Sequence, residues 1–175
     1  YSINGGEWTS LAANTSSPAM SSGDTVQFKA TNTPNSSNGC GGFKTNGRFK
    51  AYGSPASMIY GDDYENNLSS VPAYGFKYMF IYLEGWNEYP CTGLTDASGI
   101  KLPATTLGDR CYSMMFQGCT SLTSAPALPA TSLVQYCYER MFFGCTSLTS
   151  APALPATTLA NYCYHNMFQN CTSLS

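Results

Sequence analysis

Apolar residues recur at a fixed spacing of 26 along the second half of the chain. The string CTSLTSAPALPAT also occurs twice, at Cys119–Thr131 and Cys145–Thr157. The equivalent positions are Cys111, Cys137 and Cys163; Cys119, Cys145 and Cys171; Leu107, Leu133 and Leu159; and Met115-Phe116, Met141-Phe142 and Met167-Phe168. A period of this length is typical of stacked repeats, in which each unit buries its apolar side against its neighbours.

Within one unit, the apolar and polar positions predict two elements. Leu133, Cys137 and Met141 lie four apart, the spacing of one face of a helix of about three turns. Gly144 follows, and the equivalent residues in the other units are Gly and Asn, which accept the left-handed conformation of a helix C-cap. The segment LTSAPALP then predicts a short extended stretch, since its prolines bar a regular sheet interior.

Stacking of these units predicts the fold class. Equivalent side chains of successive units are expected to lie over one another, with Phe142 on Phe116 and Leu148 on Leu122. We therefore expect a mixed β then α/β solenoid, in which a small antiparallel β unit precedes a solenoid with a 26-residue period.

An eroded copy of the unit precedes the clear repeats. GFKYMF at Gly75–Phe80 aligns with CYSMMF at Cys111–Phe116, but the next cysteine then comes eleven positions after the phenylalanine instead of three. The eight extra residues predict a loop that brings Tyr82, Trp86 and Tyr89 together. These rings either stack on a sugar, anchor a protein partner, or close the end of the repeat core.

Residues 1–53 carry no trace of the period. Asn4-Gly5 predicts a hairpin turn, and Val26–Ala30 and Phe49–Ala51 alternate apolar and polar residues as strands do. We expect four short strands in a small antiparallel β domain that also caps the first repeat. The predicted organisation is a β domain or cap at 1–53, a degenerate repeat with an aromatic insertion at 54–90, and repeats at 91–175.

The repeat pattern resembles that of a known family. Pro-x-x-x-Leu followed by Cys-Tyr-x-x-Met-Phe-x-Gly-Cys-Thr-Ser-Leu-Thr is similar to the BspA-like leucine-rich repeats of surface proteins from Bacteroides and relatives, over residues 91–175. The resemblance implies a curved leucine-rich-repeat solenoid, exported, lipid-anchored at the cell surface before trimming, and adhesive. LTSAPALP carries Ala and Pro where family strands often have Ile or Val, which leaves its inward residues open between Ala125 with Ala127 and Leu128.

Composition favours an extracellular protein and argues against some partners. Charged residues make up only 10% of the chain and the net charge is −2, so we expect no surface for nucleic acid. No run reaches the roughly 18 apolar residues of a membrane-spanning helix. The chain begins at Tyr1 without a signal segment, as a mature or trimmed product does.

One acidic motif is a candidate metal site. Tyr60-Gly61-Asp62-Asp63 is similar to the metal-binding turn of polymerases, but the eight Lys and Arg of the chain offer no nucleotide channel. The favoured interpretation is a polar turn, and the alternative is a calcium ion held by Asp62, Asp63 and Glu65.

Histidine and cysteine usage gives little support to catalysis. His165 is the only histidine, and its column, shared with Ser113 and Glu139, varies between units and is therefore expected to be exposed. The eight cysteines are expected to be buried free thiols more readily than disulfides, because ladder side chains point in the same direction. Phosphate-binding loops and nucleophile elbows are missing from the sequence, so we expect neither an enzyme nor a cofactor or metal.

Two surfaces remain as candidate binding sites. One is an uncharged strip of hydroxyl residues on the extended segments, Thr123, Ser124, Thr149 and Ser150. The other is the aromatic loop, which is the stronger candidate because binding hot spots favour Trp and Tyr. The resemblance favours a non-catalytic adhesion module that engages host or neighbouring-cell proteins. The alternative is a glycan-binding accessory protein of a surface polysaccharide-capture system.

Overall fold

The computed structural model describes residues 1–12, 15–45 and 47–175. A four-residue helix, α1 (Ser57–Tyr60), and a 3-10 helix (Gly61–Asn67) follow one another in the first half of the chain. The strands are β1 (Ser2–Ile3), β2 (Val26–Gln27), β3 (Phe49–Gly53), β4 (Ser70–Val71), β5 (Ile81–Glu84), β6 (Asn87–Pro90), β7 (Leu94–Ile100) and β8 (Thr106–Leu107).

The strands of the described residues form four separate two-stranded sheets. β1 pairs with β2 and β5 with β6, both antiparallel. β3 pairs with β7 and β4 with β8, both parallel. Beyond β8, strand pairing in the described residues is limited to isolated bridges, such as the one between Ser132 and Thr158.

The predicted leucine-rich-repeat solenoid is therefore wrong as a fold class. The structure is a small mixed fold of short two-stranded sheets with one short α-helix, and no sheet runs through the repeats in the part of the chain described. The helix expected around Leu133, Cys137 and Met141 is missing too. Tyr136 and Arg140 have φ of 56° and 49°, values that a right-handed helix of L-residues does not allow.

The predicted four-stranded antiparallel unit at the start of the chain is also wrong. Asn4 and Gly5 do form a turn, with positive φ at both and a bond from Gly6 N to Ile3 O of 2.9 Å, but it closes no hairpin, because β1 pairs with Val26–Gln27. However, only β1 and β2 pair antiparallel in this region. β3 alternates as expected but pairs in parallel with β7, far along the chain, with Phe49 opposite Leu94.

Four runs of consecutive turns replace the predicted helices. We call them turn layers: layer 1 is residues 73–80, layer 2 is 109–118, layer 3 is 135–144 and layer 4 is 161–170. Left-handed residues recur at every fourth position, for example Tyr136, Arg140 and Gly144. The spacing of four in the sequence thus marks a spiral of turns. Gly144 is left-handed as predicted, at φ 71°, but it ends a run of turns and caps no helix.

Backbone hydrogen bonds alternate within each layer. Every second N–H donates to the carbonyl three residues earlier, as from Met141 N to Tyr138 O at 3.2 Å. The intervening N–H groups donate to the next layer, as from Tyr138 N to Cys163 O at 3.0 Å. Layers 2 and 3 each send five such bonds to their successor, so the backbone is satisfied without a helix or a sheet.

Aromatic rings stack along the layers, as the repeat spacing predicted. Phe116 and Phe142 have ring centroids 5.4 Å apart and an interplanar angle of 1°, and Phe142 stacks on Phe168 at 5.7 Å. Phe80 stacks on Phe116 at 5.1 Å, which confirms the alignment of the eroded copy. A second column runs through Phe76, Tyr112, Tyr138 and Tyr164.

The extended segments and the N-terminal region complete the packing around the layers. Leu128 is buried while Ala127 is exposed and Ala125 half-buried, which settles the inward register of LTSAPALP in favour of Leu128. Residues 39–43 lie against layer 1, with Phe43 N donating to Met79 O at 3.0 Å. Among the described residues, no helix has the length and apolarity to cross a membrane.

Candidate binding site

The ten residues between Phe80 and Cys91, eight more than in the later units, form a hairpin at the end of layer 1. β5 and β6 pair antiparallel, with Tyr82 opposite Tyr89. Gly85, at φ 60°, and Trp86 make the two-residue turn, and a glycine in the first central position is typical of a type II′ hairpin turn. We call residues 81–90 the aromatic hairpin.

The base of the aromatic hairpin is fixed to the turn layers. Pro90 lies against Gly118, where an added Cβ would come within 2.5 Å of the proline ring. Gln117 Nε2 donates to Glu88 Oε2 at 2.8 Å. Cys91 N donates to Phe80 O, so the strand leaves the hairpin beside the aromatic column. These contacts fix the base of the hairpin, and none of them involves the Gly85-Trp86 turn at its tip.

The tip of the hairpin is solvent-exposed. Trp86 is fully exposed and Tyr89 is 39% exposed. The rings of Tyr82 and Tyr89 lie 6.2 Å apart, and Lys44 Nζ lies 4.9 Å and 4.8 Å from their centroids. The ammonium group therefore holds the two tyrosines as a pair through cation–π attraction. The idea that these rings close the core is wrong for Trp86.

Sequence reasoning brought together the three aromatic residues but missed Lys44. This lysine lies 38 residues before Tyr82, in a segment without a regular pattern, so nothing in the sequence linked it to the loop. The loop was predicted because the spacing from Phe80 to Cys91 is longer than the equivalent spacing in the later units. The hairpin accounts for the additional residues.

A polar groove of about 460 Å³ is formed by the segment after Lys44 and by residues that follow the hairpin in the chain. Its described lining residues are Thr45, Gly47, Arg48, Thr92, Gly93 and Ser121. Thr45 adjoins Lys44, and Thr92 lies three residues after Tyr89. The described lining includes hydroxyl groups and one guanidinium but no carboxylate, imidazole or thiol, so it can bind polar groups but holds no general acid or base.

Of the predicted hydroxyl strip, only Thr123 and Ser124 lie along β7. Thr123 donates through both N and Oγ1 to Thr95 O, each at 2.9 Å, and Ser124 O accepts from Ala97 N. Thr149 and Ser150 are exposed, and Thr149 O accepts from Ser175 N at 3.4 Å. Thr123 already spends its hydroxyl on the backbone, which leaves less of the strip for a ligand.

The acidic motif is engaged by neighbouring side chains. Asp62 accepts two bonds from Lys29 Nζ, at 2.7 Å and 2.9 Å. Asp63 accepts from Asn66 Nδ2 and Asn67 Nδ2. No cluster of three metal-ligating side chains occurs among the described residues. The motif is a polar 3-10 turn, as the favoured interpretation had it.

The column of Ser113, Glu139 and His165 is only partly exposed. His165 is exposed as expected, but Ser113 is buried and donates through Oγ to Glu139 Oε2 at 3.3 Å. His165 Nδ1 lies 3.7 Å from Glu139 Oε1. The three residues form a polar ladder between layers, so the expectation of exposure is wrong for Ser113.

All eight cysteines are free thiols, and seven of them are buried. Cys145 Sγ donates to Phe116 O at 3.1 Å, and Cys171 Sγ repeats this bond to Phe142 O one layer later. Cys91 Sγ donates to Phe43 O beneath the hairpin, and burial raises the pKa of this thiol to about 11. These thiols fill the core and donate weak hydrogen bonds, as predicted.

Comparisons with protein-family models, with curated proteins and with solved structures find no match for this chain.

Proposed function

We propose that this protein is a non-catalytic extracellular binding module that holds a partner protein through the aromatic hairpin. The observation that carries the proposal is the position of Trp86 at the tip, fully exposed above a pair of tyrosines fixed by Lys44. An indole that buries nothing in the fold keeps its whole surface for a ligand.

The shape of the site favours a protein partner. A projecting aromatic tip can enter a pocket on another protein, and such Trp anchors are frequent hot spots. Glu84 and Glu88 on the same hairpin, with Lys44 beneath, would form the polar rim around the anchor. The uncharged polar composition of the whole chain supports an extracellular setting.

A glycan ligand is the second candidate, and the polar groove is what favours it. Both faces of the Trp86 ring are free to stack on a sugar, and Thr45, Thr92 and Ser121 could donate to sugar hydroxyls. The tyrosine faces are less available, because Lys44 already lies over them.

The test compares wild type with Trp86→Ala and with Trp8→Ala on immobilised extracellular matrix proteins and on a glycan array. Trp8 is the only other tryptophan and is 46% exposed, so it is a matched control. We expect wild type and Trp8→Ala to bind a matrix protein, and Trp86→Ala to bind it at least about 30-fold more weakly, since a hot spot contributes 2 kcal/mol or more.

Other outcomes would decide against this function. Binding to glycans alone, lost with Trp86→Ala, would favour the glycan alternative. Equal binding by all three proteins would exclude the hairpin as the site. Because Trp86 is fully exposed, its replacement should change the free energy of unfolding by no more than about 0.5 kcal/mol, which a urea titration checks.

A further inference from the structure

Positive charge is concentrated in one part of the chain. Residues 25–61 hold four of the eight Lys and Arg and none of the ten Asp and Glu, so this segment carries a formal charge of +4 in a chain of net charge −2. It supplies three described lining residues of the polar groove, Thr45, Gly47 and Arg48. The groove is therefore built partly from the most basic stretch of the sequence, where the local field favours an anion.

Arg48 is the one basic side chain of this segment without a partner among the described residues. Lys29 and Lys50 lie beside carboxylates, at 2.7 Å and 3.9 Å, and Lys44 lies over the two tyrosines of the hairpin. The Arg48 side chain is exposed. A guanidinium group presents a planar fork of N–H donors that fits two oxygens of an oxyanion at once. Arg48 is thus available to hold a negatively charged group in the groove.

The other groups of the groove are hydroxyls and backbone. Thr92 and Ser121 make no side-chain hydrogen bond within the part of the chain described, whereas Thr146 and Thr172, two equivalents of Thr92, each donate to a carbonyl of the preceding unit. Free hydroxyls can both donate and accept. The described lining contains no carboxylate and no aliphatic or aromatic side chain. The groove therefore suits a ligand that is anionic, rich in hydroxyls and poor in apolar surface.

Two glycines determine the shape of the groove. A Cβ at Gly93 would collide with Gly47 O, and Phe49 N donates to Gly93 O at 3.0 Å, so the two lining segments are held in direct contact. At Gly47 a Cβ would meet nothing within 4 Å. The volume of about 460 Å³ falls within the roughly 300 to 1,000 Å³ of small-ligand sites. A larger side chain at Gly47 thus has room to enter the groove.

We infer that the polar groove binds an acidic sugar of a polysaccharide, with Arg48 on its carboxylate or sulfate and with Thr92 and Ser121 on its hydroxyls. An acidic sugar combines an oxyanion with many hydroxyls in one unit. An acidic peptide fits less well, because its aliphatic groups find no apolar side chain in the described lining. The inference develops the glycan alternative of the proposed function, but it places the ligand on Arg48, so it does not depend on Trp86.

The test titrates the full chain with three hexasaccharides by isothermal titration calorimetry. Oligogalacturonate carries carboxylates, a carrageenan fragment carries sulfates, and maltohexaose is neutral. We expect at least one acidic hexasaccharide to bind at least tenfold more tightly than maltohexaose, and the stronger of the two identifies the oxyanion. Binding should weaken as salt is added, because the ion pair with Arg48 is screened. NMR spectra of the complex should show shifted amide signals at Gly47 and Gly93.

Four variants locate the ligand. Arg48→Ala should weaken binding at least tenfold, and Lys101→Ala is the matched control, since it removes the same charge from an exposed residue outside the described lining. Gly47→Leu fills the groove without changing the charge and should weaken binding as much as Arg48→Ala. Trp86→Ala should bind the acidic hexasaccharide like wild type, which separates this site from the aromatic hairpin.

Four outcomes would overturn the inference. The first is no binding of either acidic hexasaccharide, which would leave the hairpin's binding of a protein partner to its own test. The second is an equal loss in Arg48→Ala and Lys101→Ala, which would mean that net charge alone acts. The third is a loss in Trp86→Ala but not in Arg48→Ala. The fourth is equally tight binding of hexaglutamate, which would identify the ligand as an acidic peptide.

Discussion

Gly42 lies so close to the end of layer 1 that its missing side chain is a packing requirement. A Cβ at this position would be 1.9 Å from Ile81 O, closer than any non-bonded contact allows. The neighbour is backbone, so no side-chain rotation can relieve the clash. The segment that caps layer 1 therefore depends on glycine at this position for its close approach.

We predict that Gly42→Ala lowers the free energy of unfolding by about 1 to 3 kcal/mol, the usual cost of forcing an atom into packed space. A urea titration followed by circular dichroism measures it. Gly47→Ala is the matched control, because a Cβ there meets nothing within 4 Å. Equal stability of the two variants would mean that the cap is not held against layer 1.

At the level of elements, the stacked rings contribute according to their place in the column. Phe142 is buried, with Phe116 on one side and Phe168 on the other. Phe168 stacks on Phe142 on one side only, and it is half-buried. The same side chain in the same column therefore buries different apolar areas, and burial sets most of its contribution.

We predict that Phe142→Ala lowers the free energy of unfolding by about 3 to 5 kcal/mol, the usual cost of removing a buried phenylalanine. Phe168→Ala should cost clearly less, because part of its ring is already in water. Equilibrium urea unfolding of both variants gives the comparison. Equal losses would show that Phe168 is covered in solution by something other than solvent.

The layers also show what the sequence can and cannot reveal about an element. The 26-residue period and the ring stacking were predictable, because equivalent apolar residues must meet for each unit to bury them. The conformation was not, because a spacing of four fits both a helix and a spiral with every fourth residue left-handed. Tyr136 and Arg140 adopt positive φ, and their residue types give no warning of it.

The aromatic hairpin illustrates the same limit at the candidate site. Its three rings were predictable from an insertion at one turn of the repeat. Lys44 and the groove residue Arg48 come from an irregular segment whose approach depends on glycine contacts such as those of Gly42 and Gly93. Such contacts are long-range, so a single sequence does not reveal them.

Across the whole molecule, one continuous core joins the N-terminal segment to the last layer. It extends from Cys40 to Met167 and includes seven of the eight cysteines. Burial raises the pKa of the Cys40, Cys91 and Cys137 thiols to about 11, from an ordinary value of 9.0. The free energy of unfolding therefore depends on whether these buried thiols are protonated.

The sign of this coupling follows from the direction of the shifts. Between pH 9 and 11 the thiols of the unfolded chain lose protons that the folded chain keeps, so the unfolded state gains relative stability as pH rises. The stabilisation is fully present below pH 9. By pH 11 each of the three thiols should have lowered the free energy of unfolding by on the order of 2 kcal/mol.

We therefore predict a steep loss of stability between pH 9 and 11, measured as the urea midpoint at each pH under reducing conditions. The pKa values of the buried Tyr112 and Tyr138 hydroxyls are raised too, and they add to the loss at the alkaline end. Cys91→Ala should be less stable at pH 8, because it leaves a cavity, yet lose less stability on going to pH 11. If the urea midpoint of Cys91→Ala fell with pH as steeply as that of wild type, the Cys91 thiol would be open to solvent. Its buried contact with Phe43 O would then be wrong.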